Sequence, residues 1–86
     1  MLKFSDSTIV RESDDGALML DTRRGTYWHL NETGLRLVRA VRAGKSVDDV
    51  ASEIAREHGV ERTVVRNDLD SLIADMKRAK LLSGRV

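Results

Sequence analysis

The run Thr26-Tyr27-Trp28-His29-Leu30-Asn31-Glu32-Thr33-Gly34 changes periodicity in its middle, and this constrains the fold more than any other stretch of the chain. Thr26 to Leu30 is rich in β-branched and aromatic residues and follows the turn residue Gly25, which is the composition of a strand. Asn31 then offers the side-chain oxygen of a helix N-cap. Leu30 and Leu35 stand at the two positions of a hydrophobic staple, which sets the angle at which strand enters helix. Two of the three aromatic residues of the chain, Tyr27 and Trp28, lie on this strand, the third being Phe4.

The surroundings extend that nucleus in both directions. Upstream, Thr8-Ile9-Val10-Arg11-Glu12 and Ala17-Leu18-Met19-Leu20-Asp21 are strand-like runs separated by Ser13-Asp14-Asp15-Gly16, with the Asp-Gly hairpin signal. A second turn, Thr22-Arg23-Arg24-Gly25, leads into the aromatic strand. Three strands joined so briefly form an antiparallel meander with the Thr26 to Leu30 strand at an edge, where one row of its backbone groups stays unpaired. By alternation, Trp28, Leu30, Leu18 and Leu20 are expected to point inward and Tyr27 and His29 outward.

Downstream the pattern is helical. Leu35, Val38 and Val41 recur at helical spacing with Arg36, Arg39 and Arg42 between them, and Gly44 follows as a terminator. Ser46 with Asp49 resembles a capping box, and Val47, Val50, Ala51, Ile54 and Ala55 form one stripe before Gly59. A third helix is expected from about Arg62 to Lys80, with Val65, Leu69, Leu72, Ile73, Met76 and Ala79 on one broad face. The expected fold class is therefore α+β, a three-stranded antiparallel sheet followed by three helices (βββααα) that pack on one sheet face.

Composition narrows the chemistry. The 86 residues suffice for one small domain, expected to span 1–86. There is no cysteine, so disulfides, a thiolate nucleophile and sulfur-based zinc sites are excluded, and a reducing cytoplasm is the expected location. The longest wholly apolar run, Ala17 to Leu20, is far short of a membrane span. Net charge is +1, and the bases are spread over both halves, which disfavours a nucleic-acid partner.

An active site needs a nucleophile with its base, a metal cluster or a phosphate cradle, and no such spacing is present. His29 and His58 are the only histidines. Asp14-Asp15 fit turn chemistry and Asp48-Asp49 a helix's first turn, so neither acidic pair calls for catalysis. No enzyme activity, cofactor or metal is expected. Binding is the remaining class: an edge strand beside an apolar helix face makes a groove in which an extended peptide adds itself to the sheet. Arg23, Arg24, Lys77 and Arg78 are expected chiefly to be solvated, with attraction of an acidic peptide as a second role for them.

The run Trp28-His29-Leu30-Asn31-Glu32-Thr33-Gly34, the helix ending at Gly44, Ser46-Val47-Asp48-Asp49-Val50, and Val65-Arg66-Asn67-Asp68-Leu69 followed by Leu72, Met76, Leu81 and Leu82 resemble the PqqD-like family over nearly the whole chain. The resemblance implies a winged helix-turn-helix-like RiPP recognition element, which takes the leader of a ribosomally made precursor as an added antiparallel strand in the cleft against its third helix. Carried onto this sequence, it implies Thr26, Tyr27, Trp28, His29 and Leu30 for the backbone edge. For the cleft wall it implies Val65, Asp68, Leu69, Leu72, Ile73 and Met76. The short form with a Trp in the strand looks most like the separate recognition subunit of lasso peptide systems. Such a subunit works with a cysteine protease that removes the leader and an ATP-dependent cyclase, and is expected to be monomeric without peptide. Rival readings are a winged-helix DNA-binding regulator, against which Asp68, Asp70 and Asp75 on the third helix argue by repelling phosphate, a PqqD-type chaperone of another peptide pathway, and a self-association module using the same edge.

Overall fold

Two tight turns set the sheet. In the computed structural model, which describes residues 1–85, Ser13 pairs with Gly16 across the two-residue turn Asp14-Asp15. This joins β2 (Thr8–Ser13) to β3 (Gly16–Asp21). Asp21 pairs with Thr26 across the second turn and opens β4 (Thr26–Asn31). The buried Asp21 carboxylate closes that turn by accepting the N–H groups of Arg23 at 3.0 Å and Arg24 at 3.4 Å. Such an aspartate mimics a backbone turn and fixes where the strand restarts. The sheet order is β2-β3-β4, antiparallel throughout. At the other end of β3 only glycine fits, since a Cβ on Gly16 would lie 2.0 Å from the Leu30 carbonyl oxygen.

The register corrects one expectation. Met19 stands opposite Trp28 and Ala17 opposite Leu30, while Leu18 faces His29 and Leu20 faces Tyr27. Directly paired residues share a face. Ala17 and Met19 therefore enter the core with Trp28 and Leu30, and Leu18 and Leu20, expected inside, lie half-buried on the outer face beside Tyr27 and His29. Ala17 to Leu20 is apolar at both parities, so composition does not reveal its inner face. The buried Asp21 has the parity of Met19 and marks it.

The helices follow the predicted signals closely. In α1 (Glu32–Ala43) the Asn31 side chain accepts the Gly34 N–H at 3.0 Å, and left-handed Gly44 terminates the helix. In α2 (Val47–His58) Ser46 caps the Asp49 N–H at 3.2 Å and left-handed Gly59 ends it. The third helix, α3 (Arg62–Arg78), stops two residues short of the expected Lys80. Lys80 itself takes a φ of 61°, which turns the chain back. Two-residue strands that carry no readable periodicity were not anticipated: β1 (Lys3–Phe4) pairs with β5 (Leu82–Ser83) and ties the two ends of the chain together.

These elements make a winged helix-turn-helix-like α+β fold. Helix α1 lies against β3 and β4 on the inner sheet face and meets both other helices, while α2 and α3 pack as a pair. Met19, Leu37, Leu69, Met76 and Leu81 are almost completely buried where these layers meet. Trimming one such side chain to alanine typically costs about 2–5 kcal/mol, so this centre is what holds α3 in place beside the sheet. The single-domain expectation spans 1–86, and its last residue, Val86, lies outside the described residues.

Candidate functional site

Strand β4 pairs with β3 alone, so the N–H and C=O groups along its other side have no partner strand. Beyond that rim lies a groove of about 430 Å³. One side is formed by His29, Leu30 and Asn31 at the end of β4 with Thr33 and Gly34 of α1, and the other by Asp68, Leu69 and Leu72 of α3. The strand-to-helix corner makes the groove. A Cβ on Gly34 would come within 3.0 Å of Leu30 Cβ, so α1 leaves β4 at closest approach and α3, packed on α1 and α2, stands off from the rim.

The side chains that sequence assigned to this region fall into three groups. His29, Leu30, Asp68, Leu69 and Leu72 are brought together at the groove. Trp28 lies on the inner sheet face, half-buried, and packs against the same core as half-buried Leu72 and Ala79. Thr26 and Tyr27 continue the rim, with Tyr27 61% exposed and edge-on to His29 at a ring separation of 5.6 Å. Val65, Ile73 and Met76 are buried in the core and do not line the groove. Helical spacing shows that α3 has an apolar face about 100° wide, but not which margin of that face is left uncovered. Asn31, Thr33 and Gly34 line the groove without having been assigned to it. The signal for them was the cap itself, since residues that bend a strand into a helix necessarily border the cleft at the bend.

The electrostatics of α3 are split. On its α2 side, the Arg66 Nε donates to Asp70 at 2.9 Å and its Nη1 to Asp48 at 2.6 Å, and Arg62 reaches Asp48 at 3.1 Å. The hydrogen bond that Arg66 donates to Asp70 raises the guanidinium above its ordinary value, with desolvation opposing it. This network clamps α2 to α3 and occupies Arg62 and Arg66 of α3. On the groove side, Asp68 is exposed and forms no ion pair among the described residues. Among the described residues no group of three or more His, Asp or Glu side chains is placed to hold a metal ion. What the site offers is an unpaired strand rim, an apolar floor of Leu30, Leu69 and Leu72, and one free carboxylate.

An open edge strand beside a helical wall has the geometry into which an extended peptide can add as a further strand. The family model for coenzyme PQQ synthesis protein D (PqqD) matches residues 16–82, and the chain belongs to that family. Two solved structures are similar over nearly their full length. One is TbiB1 in complex with the TbiA(beta) leader peptide, 28% identical with a TM-score of 0.85, covering 98% of this chain and 98% of that one. The other is a lasso peptide synthetase B1 complexed with the leader peptide, 31% identical with a TM-score of 0.86, covering 96% of this chain and 98% of that one. No curated protein matches the chain at a significant level.

Proposed function

We propose that this protein binds the leader segment of a ribosomally synthesised precursor peptide as an added antiparallel strand on β4. In lasso peptide biosynthesis it then presents the precursor to a leader-removing cysteine protease and an ATP-dependent cyclase. The observation that carries the reading is the free β4 rim beside the α3 groove, in a fold whose two similar structures hold leader peptides. Backbone pairing along β4 supplies affinity that is tolerant of sequence, and alternate leader side chains drop toward Leu30, Leu69 and Leu72 to supply selection. The site residues proposed to act are Thr26 to Leu30 for the rim and Asp68, Leu69 and Leu72 for the wall. Val65, Ile73 and Met76 support that wall from within.

The DNA-binding alternative loses to the same geometry. Arg62, Arg66 and Arg78 of α3 are engaged by Asp48, Asp70 and Asp75, Asp68 is exposed, and Lys77 alone of the four bases of the helix forms no ion pair among the described residues. A recognition helix needs free bases to neutralise phosphates. No described helix is long and apolar enough to cross a membrane. Action in a reducing cytoplasm suits a chain without cysteine.

Titration with the leader of the precursor encoded beside this chain tests the reading directly. Trp28, the only tryptophan, is half-buried on the receiving strand, so its emission shifts on saturation. Sedimentation is expected to show a monomer that takes up one peptide. An unchanged spectrum together with no change in sedimentation would sink the proposal, as would tight, salt-sensitive binding to duplex DNA in its place.

A further inference from the structure

The two ends of β4 carry opposite charge. Asp68 and Leu72 of α3 lie across from Leu30 and Asn31. The tail beyond α3 lies at the end of the sheet where β4 begins: the Ser5 N–H, in the β1–β2 connection, donates to the Leu81 carbonyl at 2.9 Å, and the Thr22 N–H, in the turn before β4, donates to the Ser7 carbonyl of the same connection at 2.9 Å. Helix α3 therefore runs antiparallel to β4. At the Asn31 end stand Asp68 on the wall and Asp15 in the β2–β3 turn, which shares an open hollow with His29 and Asn31. Arg11 also opens onto that hollow, from the far strand.

At the Thr26 end stand Arg23 and Arg24 in the turn, with Lys77 and Lys80 at the tail of α3. The acids there are otherwise engaged or set apart. Asp21 is buried and accepts the turn amides, Asp75 pairs with Arg78, and Asp6 is exposed in the β1–β2 connection. Asp15, Asp68, Arg23 and Arg24 form no ion pair among the described residues. Charges left free at both ends of one open strand set a direction along it.

We infer that this groove reads the charge polarity of the leader, selecting a basic side chain N-terminal to the added strand and an acidic one C-terminal to it. The inference rests on the leader-binding reading and names what that site discriminates. An antiparallel guest, the pairing that the rest of the sheet uses and the slightly more stable one, begins at Asn31 and ends at Thr26. Its N-terminal flank then meets Asp15 and Asp68, and its C-terminal flank meets Arg23 and Arg24. The six residues of β4 span roughly 17 Å, so the two guest charges fall about seven positions apart. A parallel guest would need the reverse order, so polarity also reports direction.

The probe is a pair of synthetic peptides built on the leader of the neighbouring precursor gene. One has Lys at the N-terminal flank of the strand and Glu at the C-terminal flank, and the other has the two exchanged. Composition and net charge are then identical. Fluorescence anisotropy is expected to show the Lys-first peptide binding about tenfold tighter at about 0.05 M salt, with the gap closing at about 0.5 M. The variant Asp68→Lys with Arg23→Glu and Arg24→Glu, confirmed as folded by circular dichroism, reverses the preference. Equal affinities for wild-type protein, or a preference for the Glu-first peptide, overturn the inference while leader binding itself stands. A preference that the folded variant retains unchanged also overturns it. Failure of both peptides to bind wild-type protein overturns the leader-binding reading and this inference together.

Discussion

The sheet has two open rims, and they are not equivalent. Strand β2 and strand β4 each pair with β3 on one side only. Beside β4 lies the groove walled by α3, whereas among the described residues the packing of β2 is chiefly against β3. The exposed residues of β2 include Arg11, Glu12 and Ser13, and Glu12 is held by Arg39 of α1, whose Nε donates to it at 3.0 Å. Charged residues on an edge discourage a second strand from adding there. An unpaired rim is therefore a common liability, and the wall beside β4 is what makes that rim the candidate site.

The strongest way to break this comparison is to spoil the wall. Leu72→Asp places a charge with no partner in the groove, and a penalty of about 2 kcal/mol would weaken leader binding roughly 30-fold. Leu72 is only half-buried, so the fold is expected to persist, which circular dichroism and thermal melting can check. The matching change on the other rim is Ile9→Asp, at a residue 41% exposed, and it is expected to leave affinity within about twofold. Equal losses from both changes would mean that the wall does not distinguish the rims.

A finer test looks at the backbone. Methylating single amide nitrogens along the leader removes one donor at a time, and each bonded donor is worth about 1 kcal/mol, or roughly fivefold in affinity. Sensitivity is expected at every second residue, since alternate amides point away from the receiving strand. Hydrogen exchange on the protein locates the partner: β4 amides between Thr26 and Asn31 gain protection with leader bound, and those of β2 do not. Protection along β2 would assign the guest to the wrong rim.

How far these features can be read without coordinates depends on how local their chemistry is. Asn31, Ser46, Gly44 and Gly59 each act through their own side chain or their own φ, and all four stand where their residue type predicts. The bounds of α1 and α2 follow from them. The parity of β3 is a different matter, because Ala17 to Leu20 satisfies either face and only its register against β4 decides. The groove has the same limit. Leu69 and Leu72 belong to one apolar face of α3, and it takes the packing of α1 and α2 to bury Leu69 completely and leave Leu72 half open. The β1–β5 ladder joins residues at opposite ends of the chain, which no local pattern encodes.

The smallest expected effect lies away from both rims and sharpens the contrast by leaving it alone. Arg36 of α1 donates to Glu57 of α2, its second nitrogen at 3.3 Å, and the pair joins the two helices that back the groove. The hydrogen bond from Arg36 holds the Glu57 carboxyl below the usual glutamate range, and the same bond raises the Arg36 guanidinium. A carboxyl lowered in the folded state stabilises fully above its unfolded value, and that contribution disappears as pH falls through the folded one. The pair is solvent-exposed, so its worth is small and screened by salt. Melting temperatures of wild type and Glu57→Gln are expected to differ slightly at neutral pH and to converge in acid, with leader affinity at neutral pH the same for both. Were Glu57→Gln to weaken leader binding as Leu72→Asp does, the groove would depend on how α1 and α2 are joined, and the wall could no longer be assigned to α3 alone.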